Sequence, residues 1–171
     1  MKIYPCSAQD KPAILAILNE AIVNTTALYD YHPRTPEMMD SWFEAKQKNN
    51  YPVIGAFREN ELLGFATYGQ FRNWPAYKYS VEHSVYVKDS ARGKGIGTHL
   101  LQDLIQKAIA QDYHTLIGGI DAANESSIRL HEKLGFHHAG TIRHAGYKFG
   151  RWLDLAFYQL ILDTPAHPVE G

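Results

Sequence analysis

Cysteine is almost missing from this chain, and the single Cys6 cannot form an internal disulfide. It reads as a small buried apolar residue, which suits a protein kept in the reducing cytoplasm. No apolar run approaches the roughly 18 residues of a membrane span, and "MKIYPCSAQDK" at the start has neither a signal core nor a cleavage pattern. Neither export nor membrane spanning is therefore expected. A charge excess is missing too, because the net charge of −1 gives no general attraction to nucleic acid. The histidines lack zinc spacing: His137 and His138 are adjacent, and no H-x-x-x-H or Cys partner accompanies them. No metal is expected. With no repeat, low-complexity tract or Pro/Gly/Ser-rich linker, residues 1–171 read as one domain.

What is present is an ordinary globular composition, 45% hydrophobic and 20% charged, enough to build a core without covalent staples. "KPAILAILNEAIVN" places Ile14, Leu15, Leu18 and Ile22 at helical spacing, with Asp10 as the expected N-cap and Pro12 in the first turn. A second helix is expected from "TPEMMDSWFEAKQK", capped by Thr35 and turning Trp42 and Phe43 inward. "YPVIGAFREN" and "ELLGFATYGQF" read as a hairpin turning at Glu59-Asn60-Glu61, and "YSVEHSVYV" as a further strand. "IGTHLLQDLIQKAIAQ" is an amphipathic helix, "HTLIGGID" a buried strand, and "NESSIRLHEKLGF" a helix begun by Asn124 and stopped by Gly135. Two paired strands joined near Gly150 end the pattern. The order is mixed α and β with a single strand-loop-helix-strand crossover, which excludes a doubly wound sheet.

"VKDSARGKGIGTHLL" carries the chemistry. A helix N-terminus offers unpaired N–H groups and the positive end of the helix dipole, so an anion can dock where no side chain obstructs it. Gly93, Gly95 and Gly97 remove obstruction, and Arg92 and Lys94 add charge. An ATP-type loop needs Gly-Lys-Ser or Gly-Lys-Thr, which is absent. The dinucleotide fingerprint fails because Thr98 stands where its third glycine belongs. A different phosphate ligand and a merely flexible turn both stay open on the loop alone.

The neighbouring residues narrow the choice. R-G-x-G-[IL]-G after "VYV" resembles the coenzyme A pyrophosphate loop of the GNAT N-acetyltransferase superfamily, and "NESSIRLHEKLGF" resembles its second signature. With "NEAIVNTTALYD", "VEHSVYV" and "YKFGRWLDLAFYQL" in order, nearly the whole chain is similar to the phosphinothricin and methionine sulfoximine or sulfone acetyltransferase branch. The resemblance implies a GNAT fold: a central mixed, mostly antiparallel twisted sheet with splayed middle strands, flanked by helices. It also implies acetyl-CoA as cosubstrate and a homodimer, with no nucleic-acid or membrane partner.

By the same resemblance, backbone groups of Val85, Tyr86 and Val87 hold the pantetheine arm. Arg92, Gly93, Lys94, Gly95, Ile96, Gly97 and Thr98 surround the pyrophosphate, with Ser127 and Lys133 as further coenzyme contacts. A solvated surface lysine is the other reading of Lys133. Arg72, Asn73, Trp74, Glu82, His83, Ser84 and Asn124 line the acceptor pocket, though aromatic loop residues also serve as packing and Asn124 as a plain cap. Glu82 is the candidate base, because an α-amine with a pKa near 7.7–8.0 is mostly ammonium at neutral pH and must lose a proton; a structural carboxylate is the alternative. Serine typically follows the matching glutamate in the herbicide-resistance members, whereas His83 stands here, which resembles the methionine sulfoximine side. His131 occupies a position that is tyrosine in many relatives, where it can protonate the departing thiolate; a packing histidine is the other reading.

The expected activity is acetyl transfer to the α-amine of a small amino acid or analogue by direct attack. Acetylation of a peptide or protein N-terminus and a noncatalytic coenzyme A sensor are the alternatives.

Overall fold

Eleven segments form regular structure in a computed structural model that describes residues 1–171. In chain order they are β1 (Lys2–Pro5), α1 (Lys11–Asn24), α2 (Pro36–Lys48), β2 (Val53–Arg58), β3 (Glu61–Gln70), β4 (Ser80–Val87), α3 (Ile96–Ala110), β5 (Thr115–Asp121), α4 (Glu125–Lys133), β6 (His137–Lys148) and β7 (Arg151–Ile161). The strands hydrogen-bond in the order β1-β2-β3-β4-β5-β7-β6. β4 pairs β5 in parallel, while β1/β2, β2/β3, β5/β7 and β6/β7 are antiparallel, the mixed and mostly antiparallel sheet expected. No helix is long and apolar enough to cross a membrane.

The chain gathers into two compact units, each made of two segments: Met1–Thr67 with Ser84–Leu104, and Tyr68–His83 with Ile105–Gly171. In the first, α1 buries Ile14, Ile17 and Leu18 against Met39, Phe43, Val53, Leu62 and Phe65. Each such side chain contributes about 1.5–3 kcal/mol by leaving water. Trp42 meets Phe65 edge-on at 6.2 Å, and Tyr86 lies 5.3 Å from the same ring. Thr35 caps α2 by accepting from the Met38 N–H, and Pro36 fills the first helical position.

One expected cap is different. Asp10 stands at the N-cap position of α1 but makes no side-chain cap bond to it; Ser7 begins a short 3₁₀ turn, Ala8–Asp10, and Asp10 closes a capping box with it, its carboxylate accepting from the Ser7 N–H at 2.7 Å. Because that turn runs straight into α1, Asp10 is already helical when α1 starts. β1 was not foreseen. Its four residues are too few to show a pattern, and it forms by pairing from Lys2↔Phe57 to Pro5↔Ile54.

In the second unit, β5 pairs β7 from Thr115↔Ile161 to Asp121↔Leu155, and β7 turns back from β6 through Phe149 and Gly150. Both turn residues have positive φ, 52° and 73°, as a two-residue hairpin of matching twist requires. α4 starts at the Asn124 cap, whose Oδ1 accepts from the Ser127 N–H at 3.1 Å. It ends at Gly135, φ 88°, where the Phe136 N–H donates to the His131 carbonyl.

Candidate active site

The glycine loop belongs to the first unit. β4 is fixed against β3 by the Lys88 N–H, which donates to the Leu63 carbonyl at 2.8 Å. A side chain at Gly64 would meet the Tyr86 carbonyl oxygen at 2.7 Å, so the backbones of these two strands lie unusually close. Val85, Tyr86 and Val87 are half-buried, as is Ser84. Past a 3₁₀ turn, Asp89–Ala91, the loop opens: Gly93 and Gly95 have φ of +73° and +76°, a left-handed conformation that side chains resist. Nothing lies within 4 Å of the position a Cβ on Gly93 would take, and at Gly95 the nearest atom is His99 Cε1 at 3.7 Å. The surroundings are open space, backed by α3 with its buried Ile96 and Gly97 and half-buried Thr98.

Two basic side chains frame this loop, though neither points freely. Lys94 Nζ donates to the Ser90 carbonyl at 3.2 Å, and Arg92 is ion-paired with Asp89 at 3.1 Å. The His99 N–H and ring Nδ1 both reach the Gly95 carbonyl, at 3.1 and 2.8 Å. An unobstructed loop at the N-terminus of a 15-residue helix, flanked by two cations, fits a pyrophosphate.

Glu82 belongs to the second unit. The parallel ladder of β4 with β5 runs from Ser80↔Thr115 to Glu82↔Ile117. The Glu82 carboxylate lies beside Gly119, where an added Cβ would sit 3.1 Å from its Oε1. Although the residue is exposed by area, the protein around its carboxyl raises the pKa by desolvation, and the Arg72 guanidinium pulls it partly back. Arg72 is exposed and rests over the Phe71 ring at 4.9 Å. Asn73 and Trp74 are exposed beside it, and Trp74 meets the Tyr77 edge at 6.4 Å. Lys133 is exposed in the last turn of α4, and Asn124 and Ser127 are half-buried in the first.

The two histidines assigned by resemblance meet in the interior of the second unit. His83 and His131, 5% and 6% exposed, face one another with their Nε2 atoms 2.8 Å apart, their rings stacked and both packed on Phe136. His131 Nδ1 is bonded to the Ser127 carbonyl at 2.7 Å, so both of its nitrogens are engaged within the protein. Burial pushes His83 down to about 3, helped by His131, and burial also lowers His131 against the Ser127 carbonyl. His83 thus turns its ring into the interior rather than lining an open pocket. Of the two readings of His131, the packing one agrees with its burial and its two internal hydrogen bonds. The contact joins residues 48 positions apart, and the one sequence signal for it was the Gly118-Gly119 pair, since glycine within a strand marks a close approach. A Cβ at Gly118 would lie 3.0–3.1 Å from both rings.

Comparison with known proteins gives these features a context. The acetyltransferase (GNAT) family model matches residues 19–136. An L-methionine sulfoximine/L-methionine sulfone acetyltransferase from Pseudomonas paraeruginosa is 46% identical, with 94% of each chain covered. A phosphinothricin N-acetyltransferase from Streptomyces coelicolor is 36% identical, covering 93% of this chain and 95% of its own. The solved structure of an acetyltransferase from Salmonella typhimurium with its cofactor acetyl-CoA superposes with a TM-score of 0.96 at 38% identity, covering 100% of this chain and 99% of that one.

Proposed function

The chain belongs to the acetyltransferase (GNAT) family, and from that premise we propose that it moves acetyl from acetyl-CoA to the α-amino group of a small amino acid analogue. Methionine sulfoximine, methionine sulfone and phosphinothricin-like compounds are the acceptor class, after the relatives that bear those names. The observation that carries the reading is the open, left-handed glycine loop at the start of α3, occurring in a chain 46% identical over 94% of its length to such a relative.

When bound, acetyl-CoA supplies an activated acetyl thioester and a thiol leaving group. The loop residues Gly93 to Thr98 hold its pyrophosphate through backbone N–H groups, and Arg92 joins them by exchanging Asp89 for phosphate. Backbone groups of Val85, Tyr86 and Val87, on the stretch of β4 beyond its ladder with β5, pair with the pantetheine amides as an added strand would. Ser127 and Lys133 are further coenzyme contacts. Arg72, Asn73, Trp74, Ser84 and Asn124 contact the acceptor, with Arg72 suited to its carboxylate.

Glu82 takes the proton that the acceptor ammonium must lose. Its pKa, raised by desolvation, makes it a better base than a solvated carboxylate. The amine attacks directly. Cys6 offers no covalent route, because burial and the neighbouring Asp10 push its thiol up to about 12. The enzyme works in the cytoplasm as a homodimer joined through the β6–β7 hairpin, where Trp152 and Tyr147 are 58% and 48% exposed.

A thiol-release assay tests the activity across amino acids, their sulfones and sulfoximines, phosphinothricin and short peptides. Release with the small amino acid analogues supports the proposal. Release with peptides alone moves the function to N-terminal acetylation. Acetyl-CoA binding without release for any acceptor leaves a sensing module.

A further inference from the structure

We propose that His83 and His131 are positioning residues for Asn124, holding its side-chain amide so that Nδ2 is left to donate to an oxygen of the bound acceptor. The direction of every hydrogen bond in the chain is fixed by one backbone carbonyl. Ser127 O can only accept, so His131 Nδ1 carries a hydrogen and donates to it at 2.7 Å. In the neutral ring Nε2 of His131 is then a lone pair, and at 2.8 Å it must receive the Nε2–H of His83. His83 Nδ1 is left without a hydrogen, and it is the buried side-chain atom with no hydrogen-bond partner.

The far end of the chain is as strictly set. Ser127, whose carbonyl accepts from His131, donates its own N–H to Asn124 Oδ1 at 3.1 Å. The capping atom of Asn124 is therefore its oxygen, and the two Nδ2 hydrogens remain for an outside acceptor. β4, one residue beyond Glu82, is in this way tied through two buried rings to the first turn of α4. Both rings are buried, packed on Phe136, and crowd residue 118 so closely that a Cβ there would lie 3.0–3.1 Å from them. Burial keeps both neutral, the state this directed chain requires.

The inference rests on the proposed transfer to an amino acid analogue, and its test separates the two. In the long-range ¹H–¹⁵N spectrum of the ¹⁵N-labelled protein at pH 7, His131 should be protonated at Nδ1 and His83 at Nε2. The reverse pattern, or a charged ring, overturns the proposal whatever the enzyme acetylates. Kinetics supply the second arm. Asn124→Asp keeps a capping oxygen but loses the donor, and His83→Met loses the donation to His131. Each should raise the acceptor KM by about tenfold, with kcat and acetyl-CoA affinity within about threefold. His83→Gln, whose amide can donate from a similar position, should restore most of the loss. Because the residues act through one chain, His83→Met with Asn124→Asp should be no worse than the poorer single variant. A hundredfold, multiplicative loss overturns the coupling. If the parent acetylates no amino acid analogue while the tautomers are as stated, the acceptor reading fails and the Asn124 assignment fails with it.

Discussion

Arg72 draws down the pKa of Glu82 while burial raises it, and burial is the stronger influence. Replacing Glu82 by Gln keeps reach and hydrogen bonding but removes the proposed base. Turnover at pH 7 should fall by roughly 10²- to 10⁴-fold with acetyl-CoA affinity nearly unchanged. The deficit should shrink as pH rises through the acceptor's own pKa, since a free amine needs no base. Rate–pH profiles of both proteins, with calorimetry as control, decide this. A variant within twofold of the parent at pH 7 ends the claim.

Arg72→Met removes the influence that opposes burial. The carboxyl of Glu82 should then hold its proton to higher pH, moving the acid limb of kcat/KM upward. The KM for the amino acid should rise as well, because the carboxylate partner is gone. An unmoved acid limb would mean that Glu82 does not set it.

Acid should weaken the fold through the histidine pair. The folded-state pKa of His83 lies below its unfolded value of 6.5, at about 3, so between these limits the unfolded chain binds more protons. The stabilisation from the neutral ring is complete above about pH 6.5 and disappears as pH falls toward 3. Glu82, shifted upward, acts in the opposite sense and is common to both proteins when the parent is compared with His83→Gln. Urea midpoints from pH 7 to 4 should fall more steeply for the parent, and parallel curves would refute the assignment.

Gly95→Val should abolish coenzyme binding in a folded protein. At φ +76° a side chain costs about 1–2 kcal/mol, and a β-branched one more, while its methyls occupy the space beside the loop N–H groups. Unchanged acetyl-CoA affinity in calorimetry, with a cooperative thermal transition, would remove the phosphate-loop assignment.

Trp152→Glu should leave a monomer of 19.4 kDa in sedimentation equilibrium at micromolar concentration, where the proposal expects the parent to sediment as a dimer. The exposed aromatic face of the β6–β7 hairpin loses its largest apolar member in this variant. A monomeric parent would dismiss the hairpin interface.

Legibility in the sequence followed the range of the interaction. Turns, caps and helix stops that depend on a few adjacent residues could be read: the turn after Arg58, the Thr35 and Asn124 caps, and the break at Gly135. In the glycine loop the left-handed backbone of Gly93 and Gly95 follows from the residues themselves, while the ligand did not and needed the neighbouring motifs. Asp10 precedes α1 as expected, but its carboxylate turns back three residues to Ser7, a reciprocal bond that the 3₁₀ turn between them creates. β1 owes its existence to β2, about fifty residues on. The pairing of His83 with His131 has no local trace, because it joins residues 48 positions apart, and the packing reading of His131 named no partner.

Synthesis from the N-terminus sets an order on this chain that its two-segment units make consequential. When residue 67 leaves the ribosome, the first unit still lacks Ser84–Leu104, and the stretch 68–83, owed to the other unit, must emerge before they do. Until Tyr86 arrives, Phe65 has no ring over it on that side, and β3 lacks the Lys88 N–H for its Leu63 carbonyl. A nascent chain of about eighty residues is thus expected to expose an open strand edge beside an uncovered aromatic, the kind of surface chaperones bind. Slowed translation across codons 68–104 should lower soluble yield far more than an equal delay after Leu104.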